Sequence, residues 1–258
     1  MLETIDWANV PAFLLILVRV TSFFVTLPLF SYRTVPTRHK VAFSFFLAAI
    51  MYFTVPAPEL SIDGEYFLLL FKEMAVGIGV GLLAYIILSA IQIAGGFIDF
   101  QMGFAIANVI DPQTGAQSPL IGQYLYIITL LFILAVDGHH LMIDGVFYSY
   151  EVIAMDQYLP LREEGWILFV LQSFNQMFVI AFLMAIPIVG CLFLVDIALG
   201  IIARTVPQLN VFVVGLPLKI FVALSVLVIA MTFYVMLIRN LFETMLVTMR
   251  DLMQVFGG

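Results

Sequence analysis

The side chains best suited to chemistry in this sequence lie between positions 137 and 144. Asp137, His139, His140 and Asp144 offer carboxylate oxygens and imidazole nitrogens within eight residues, and such atoms are common zinc ligands. His140 and Asp144 are four residues apart and would share one face of a helix. A closed metal site needs more ligands than this stretch supplies, so we interpret it as a polar helix end and predict no metal.

Four further ionisable residues lie inside apolar stretches, where charge is costly and often marks a functional site. They are Arg19, Lys72, Glu73 and Asp196. One interpretation is a polar pathway or an ion pair between subunits. For Lys72 and Glu73 the alternative is a position near a helix start, from which a long side chain reaches the membrane surface.

The sequence contains no pattern typical of catalysis. No serine–histidine–aspartate arrangement, glutamate pair or phosphate-binding loop stands out. The single cysteine, Cys191, lies in an apolar run, which excludes an internal disulfide and a cysteine-based metal site. We therefore predict a protein that is not an enzyme and that uses no cofactor.

Composition indicates the membrane as the solvent of this chain. Of its 258 residues, 64% are hydrophobic and only 10% are charged, whereas soluble domains carry about 25% charged residues. The net charge of −7 argues against a nucleic-acid partner. The first apolar run continues beyond the length of a signal-peptide core, so we expect it to be retained. The predicted class is an all-α polytopic membrane protein.

Six apolar segments of the sequence would carry the ionisable residues or flank them. They are Ala8–Phe30, Val41–Val55, Tyr66–Ile98, Leu120–Val136, Trp166–Gly200 and Ile220–Ile238. The third and fifth segments exceed the roughly 20 residues that cross a bilayer. Each must protrude or bend, the third at its glycines and the fifth at Pro187. Residues 239–256 carry apolar side chains at helical spacing and predict an amphipathic helix.

The distribution of charge predicts an orientation. The densest positive cluster, Arg33–Lys40, is placed in the cytoplasm, and so is the hairpin Arg204–Lys219. The acidic segment Asp137–Gly165 is read as an outer loop. Six crossings then leave Arg239 and Arg250 outside, against the positive-inside tendency, and the residues alone leave this conflict open.

The stretch Gly95–Pro119 concentrates helix breakers between two long apolar segments. A helix-like run, Phe104–Ile110, is followed by the turn Asp111–Gly115, whose Asp, Pro and Gly each favour turn geometry. Such a segment cannot lie bare in lipid, because its backbone polar groups would be unpaired. It must lie in water, inside protein, or against a water-filled cavity.

Several stretches together resemble the FliR family of flagellar biosynthesis proteins, which are subunits of the type III secretion export gate. These stretches are Gly95–Phe104, Asp111–Pro112, Gly138–His140, Arg204–Asn210 and Gly215–Lys219. The resemblance implies long, bent helical hairpins that form part of a multi-subunit helical gate in the bacterial inner membrane, at the flagellar basal body. It also implies one FliR-like domain over residues 1–258, with a FliP-like part over 1–165 and a FliQ-like part over 166–258.

The resemblance further implies partners and a mechanism. The family assembles with FliP and FliQ around a pore for unfolded flagellar proteins, and works with FlhB and FlhA. A plug loop over residues 99–119 would obstruct the closed pore. The implied pore and plug residues are Met102, Gly103, Phe104, Ile106, Asn108, Val109, Ile110, Asp111, Pro112 and Gly115.

A secondary transporter is the alternative function. Glycine- and proline-broken helices with buried charges such as Arg19 and Asp196 are typical of a transporter site at the membrane midplane. Against it, the sequence contains no convincing internal repeat. A transporter would work alone or as a homo-oligomer, whereas a gate subunit would assemble with other membrane proteins.

Overall fold

A computed structural model describes residues 10–31, 35–56, 58, 60, 62–104, 119–159, 165–208 and 210–257. Within these ranges all regular secondary structure is helical, which confirms the predicted all-α class. The helices are α1 (Val10–Thr26), α2 (Thr37–Tyr52), α3 (Gly64–Met102), α4 (Leu120–Ala135), α5 (Gly138–Val152), α6 (Gly165–Thr205), α7 (Val211–Ile229) and α8 (Met231–Gly257).

Three of the described helices, α3, α6 and α7, are long and apolar enough to cross a membrane. The bent pair formed by α4 and α5, with an angle of 74°, brings the number to four if it counts as one span. Among the described residues these criteria thus give fewer crossings than the six predicted, and α1 is apolar but shorter. With 39 and 41 residues, α3 and α6 are about 58 and 62 Å long, roughly twice the hydrocarbon thickness.

Two predicted boundaries around the breaker-rich stretch are wrong. Helix α3 continues through Gly95 and Gly96 and ends only at Met102. The glycines are tolerated because α4 packs directly against them: a Cβ on Gly95 would lie 2.0 Å from the Cα of Gly122. The acidic segment expected as a loop contains the whole of α5.

The C-terminal third also departs from the predicted boundaries. Asn210 caps α7, since its Oδ1 accepts the N–H groups of Phe212 at 3.1 Å and Val213 at 3.4 Å. Pro217 consequently lies inside a helix rather than in a hairpin loop. The last apolar run is divided at Ala230, where α7 ends and α8 begins one residue later.

The amphipathic helix predicted over residues 239–256 is confirmed within α8. Its apolar residues at helical spacing are buried, namely Leu241, Met245, Met249, Leu252 and Met253. Arg250 and Asp251 lie on the exposed face. Helix α8 is therefore packed through its apolar face, although its charged face makes it less hydrophobic than the other helices.

The chain forms two compact units. The first comprises Met1–Ile87, Ile133–Phe174 and Glu243–Gly258, and the second comprises Leu88–Phe132 and Asn175–Phe242. In the first unit, the rings of Phe24, Phe30 and Phe43 pack with centroids 4.8 to 5.8 Å apart and join α1 to α2. The division into FliP-like and FliQ-like parts stays a prediction.

Close helix contact in the first unit depends on Gly77 of α3. A Cβ at this position would lie 2.1 Å from the Ser22 Oγ and 2.4 Å from the Arg19 carbonyl oxygen of α1. In lipid, helices associate through such small-residue contacts rather than through the hydrophobic effect. The contact between α1 and α3 therefore leaves no room for a larger residue at Gly77.

We expect Gly77→Ala to lower stability by about 1–3 kcal/mol, because the added methyl group must push backbone apart. The apparent Tm in detergent should fall by about 3–10 °C. Gly190→Ala in α6 is the matched control, since a Cβ there meets nothing within 4 Å, and it should hold or raise the Tm. Equal Tm changes in the two variants would contradict the packing described.

Candidate functional site

The first unit contains a buried cluster of three ionised side chains. Arg19 donates from Nε and Nη2 to the two carboxylate oxygens of Glu73, the second bond measuring 2.9 Å. Lys72 donates from Nζ to Glu73 Oε1 at 2.6 Å. All three residues are at most 5% exposed. The alternative interpretation required the side chains of Lys72 and Glu73 to reach the surface, and neither does.

The remaining donors of this cluster bind the C-terminal end of α5. Arg19 Nη1 donates to the Ser149 carbonyl at 2.9 Å and to its Oγ at 3.1 Å, and Nη2 donates to the Ile153 carbonyl at 3.1 Å. Lys72 donates to the carbonyls of Ala154 and Met155 at 2.8 and 3.0 Å. These carbonyl oxygens lie in the last turn of α5 and just after it, and each carries partial negative charge. They balance the excess of one positive charge in the cluster.

Tyr150 closes the cluster from a third side. The guanidinium carbon of Arg19 lies 3.7 Å from the centroid of the Tyr150 ring, which is a cation–π contact. The Tyr150 hydroxyl donates to Glu73 Oε2 at 3.2 Å. Arginine has five N–H donors and lysine three, and the contacts given above use all eight. The cluster therefore has no free donor for a substrate.

A smaller polar cluster lies in the second unit around Asp196. Lys219 Nζ lies 2.5 Å from Asp196 Oδ1, and Gln101 Nε2 donates to Asp196 Oδ2 at 2.8 Å. Lys219 also donates to the Gln101 carbonyl at 3.4 Å. The side chains of Lys219 and Asp196 are 20% and 37% exposed. Sequence reasoning missed Gln101 and Lys219, because they come from different helices.

These charges lie at the edge of a mainly apolar cavity of about 330 Å³. Its walls come from the end of α3 and from α6 and α7, and include Met102, Gly103, Leu199, Phe212 and Leu216. A charge pair at the mouth of an apolar cavity is more strongly coupled than one in open water. The pair therefore holds α6 and α7 to the end of α3 within this unit.

Helix α3 ends in a Schellman motif. The Gly103 N–H donates to the Phe100 carbonyl at 3.1 Å, and the Phe104 N–H donates to the Asp99 carbonyl at 2.9 Å. Gly103 has a φ of 89°, in the region that favours glycine. A Cβ on it would also lie 2.8 Å from Leu216. The point at which the chain leaves α3 is therefore fixed.

The same aspartate also holds the start of α4. Both carboxylate oxygens of Asp99, which is buried, lie 3.3 Å from the Ile121 N–H that they accept. Asp99 thus contacts Phe104 through its backbone and Ile121 through its side chain. The described residues that flank the segment 105–118 are therefore tied to one aspartate.

Of the predicted pore and plug residues, three are described. Met102 is buried at the end of α3, and Gly103 and Phe104 are partly buried. The others lie outside the described residues, namely Ile106, Asn108, Val109, Ile110, Asp111, Pro112 and Gly115. Their role as a plug stays a prediction.

The candidate ligands near position 137 are partly brought together. Ligand atoms of Asp137, His139 and His140 all lie within 4.8 Å of one another, and Asp144 is not among them. Asp137 and His140 are exposed, and His139 is half-buried. The cluster lies at the break between α4 and α5.

Fold and polar clusters together define a helical membrane protein whose described buried charges join its helices. The chain matches the family described as "Bacterial export proteins, family 1" over residues 10–245, and it belongs to that family. It is 56% identical to the flagellar biosynthetic protein FliR of Bacillus subtilis (strain 168) over 249 residues, which cover 96% of each chain. The expected family is confirmed.

More distant relatives belong to two kinds of export system. The chain is 25% identical to FliR of Escherichia coli (strain K12), over 97% of this chain and 95% of that one. It is 33% identical to the Yop proteins translocation protein T of Yersinia pestis, over 83% and 84% of the two chains. The chain is therefore a membrane component of the flagellar and type III protein-export apparatus.

Removing Glu73 should harm the chain more than removing Arg19. Glu73→Gln leaves two buried cations without an anion, at a cost of about 3–5 kcal/mol. Arg19→Gln leaves a neutral Lys72–Glu73 pair and unpaired carbonyls, at a cost of about 1–3 kcal/mol. Thermal unfolding in detergent measures both, with the exposed Asp251→Asn as control. A larger loss for Arg19→Gln than for Glu73→Gln would contradict this charge balance.

Proposed function

We propose that this chain is a subunit of the flagellar type III secretion export gate, in the bacterial inner membrane at the basal body. With FliP and FliQ it forms a pore for unfolded flagellar proteins, and it works beside FlhB and FlhA. The loop after α3 plugs the closed channel. The names of its relatives and the match over residues 10–245 support the export role.

The anchoring of the loop by Asp99 is the observation that carries the plug. The described residues Phe104 and Ile121, on either side of the 14-residue segment 105–118, both contact one buried aspartate. These contacts, with the packing of α3 on α4 at Gly95 and Gly122, give the proposed plug a fixed base. A plug that leaves the pore and later closes it again needs a fixed base to return to the same position.

The Asp196 cluster supports the same role from the other side of α3. Gln101 precedes the end of α3 by one residue, and both its side chain and its carbonyl are held by Asp196 and Lys219. The base of the loop is thereby tied to α6 and α7. The side chains of Lys219 and Asp196 are partly exposed, so their ion pair is weaker than a fully buried one. A weaker ion pair suits an element that rearranges.

The buried charges argue against a secondary transporter. All five donors of Arg19 are used within the first unit, and Asp196 is paired within the second. A midplane transport site needs a charge or carbonyl that is free to bind its substrate or ion. Neither residue offers one, and the export role requires none.

Replacing Ile106–Gln117 by a glycine–serine segment of equal length should raise ion leakage across the membrane severalfold, because the bulky side chains that obstruct the pore are removed. Asp99→Leu should raise leakage less, since it removes only the side-chain contact with Ile121 and keeps those side chains. Dye or ion flux is measured in cells with equal amounts of each variant in the membrane. The exposed substitution Asp251→Asn serves as control.

Leakage at the control level in the glycine–serine variant would reject the plug while leaving the export role in place. Equal leakage from the two loop variants would instead reject the obstruction by side chains, because only one of them lacks those side chains.

A further inference from the structure

We propose that Asp137, His139 and His140 form a binding site for a divalent metal ion of the zinc type at the start of α5. This assignment departs from the polar helix end that the sequence predicts. It rests on three features of the described residues, which are the spacing of the ligand atoms, a nitrogen without a partner and a carboxylate that does not cap its helix.

The spacing of the ligand atoms is close to that of a metal site. They lie within 4.8 Å of one another, and zinc bonds near 2.0–2.1 Å place tetrahedral ligands about 3.3 Å apart. The Asp137 and His140 side chains are 79% and 67% exposed, so each can rotate by the remaining distance of about 1.5 Å. His139, the most buried of the three, supplies the fixed point.

His139 carries the nitrogen without a partner. Its Nδ1 is buried and has no hydrogen bond, which makes it the one such side-chain atom in the part of the chain described. Buried polar atoms are nearly always paired, so an orphan indicates a missing partner such as a water molecule or an ion. The His139 and His140 rings are adjacent, with centroids 4.0 Å apart. An ion bound to these imidazoles would supply the missing interaction.

Asp137 supplies a carboxylate with no structural role of its own. It occupies the N-cap position of α5 with a φ of 55°, yet its side chain accepts no N–H group of the helix. An N-cap aspartate normally does so. Its Oδ1 lies 3.8 Å from His140 Nδ1, which is too long for a hydrogen bond. The carboxylate is therefore available as a metal ligand.

The ligand set selects the class of ion. Two imidazoles and one carboxylate suit zinc, nickel or copper, whereas magnesium and calcium prefer oxygen ligands throughout. Three protein ligands leave a position for water, as in open zinc sites. An ion here would fix the first turn of α5, because its three ligands are the N-cap residue and two residues of that turn.

The test is a zinc titration of the full chain, purified without a histidine tag and together with its co-purifying membrane proteins. A chromophoric competitor reports the affinity. We expect one site per chain in the native protein, and at least a tenfold loss of affinity in His139→Gln and in His140→Gln. Asp137→Asn should also bind more weakly. His39→Gln, the exposed third histidine of the chain, should bind like the native protein.

Undiminished binding in a His139→Gln/His140→Gln double variant, or the absence of stoichiometric binding in the native chain, would overturn the site. Circular dichroism checks that each variant remains helical. If a variant is not helical, the native chain gives the answer.

Discussion

Pairing of charge inside an apolar medium is the constraint on which the first unit depends. Arg19 of α1 and Lys72 and Glu73 of α3 are buried, and their donors are satisfied only when the end of α5 lies beside them. An isolated charge in such surroundings costs several kcal/mol. Any other packing of these three helices would leave at least one of these charges unpaired in the apolar interior. We infer that the cluster selects one packing rather than adding net stability.

The second unit uses the same principle with fewer charges. Asp99 and the Asp196–Lys219–Gln101 cluster fix the last turn of α3, the first turn of α4 and the hairpin of α6 and α7. Gly103 completes the arrangement, because its positive φ ends α3 at one residue. The result is a helical frame in which the described residues flanking the segment 105–118 are held in place.

Much of the class and little of the site could be predicted from the sequence. Composition indicated a membrane protein, long apolar runs indicated α3 and α6, and helical spacing indicated the buried face of α8. Ion-pair partners could not be predicted, because Arg19 meets Glu73 after 54 residues and Ser149 after 130, and no local pattern encodes such distances. Gly95 was misjudged as a breaker, since only the packing of Gly122 explains a glycine inside that helix.

We infer that residues 105–118 obstruct a conduit that this chain builds with other membrane proteins. Electron cryo-microscopy of the complex that co-purifies with the tagged chain tests it most directly. The account predicts two further small membrane proteins around a common axis, with density for residues 105–118 crossing that axis. Density for the segment in bulk solvent or lipid, beside an open conduit or none, would contradict it.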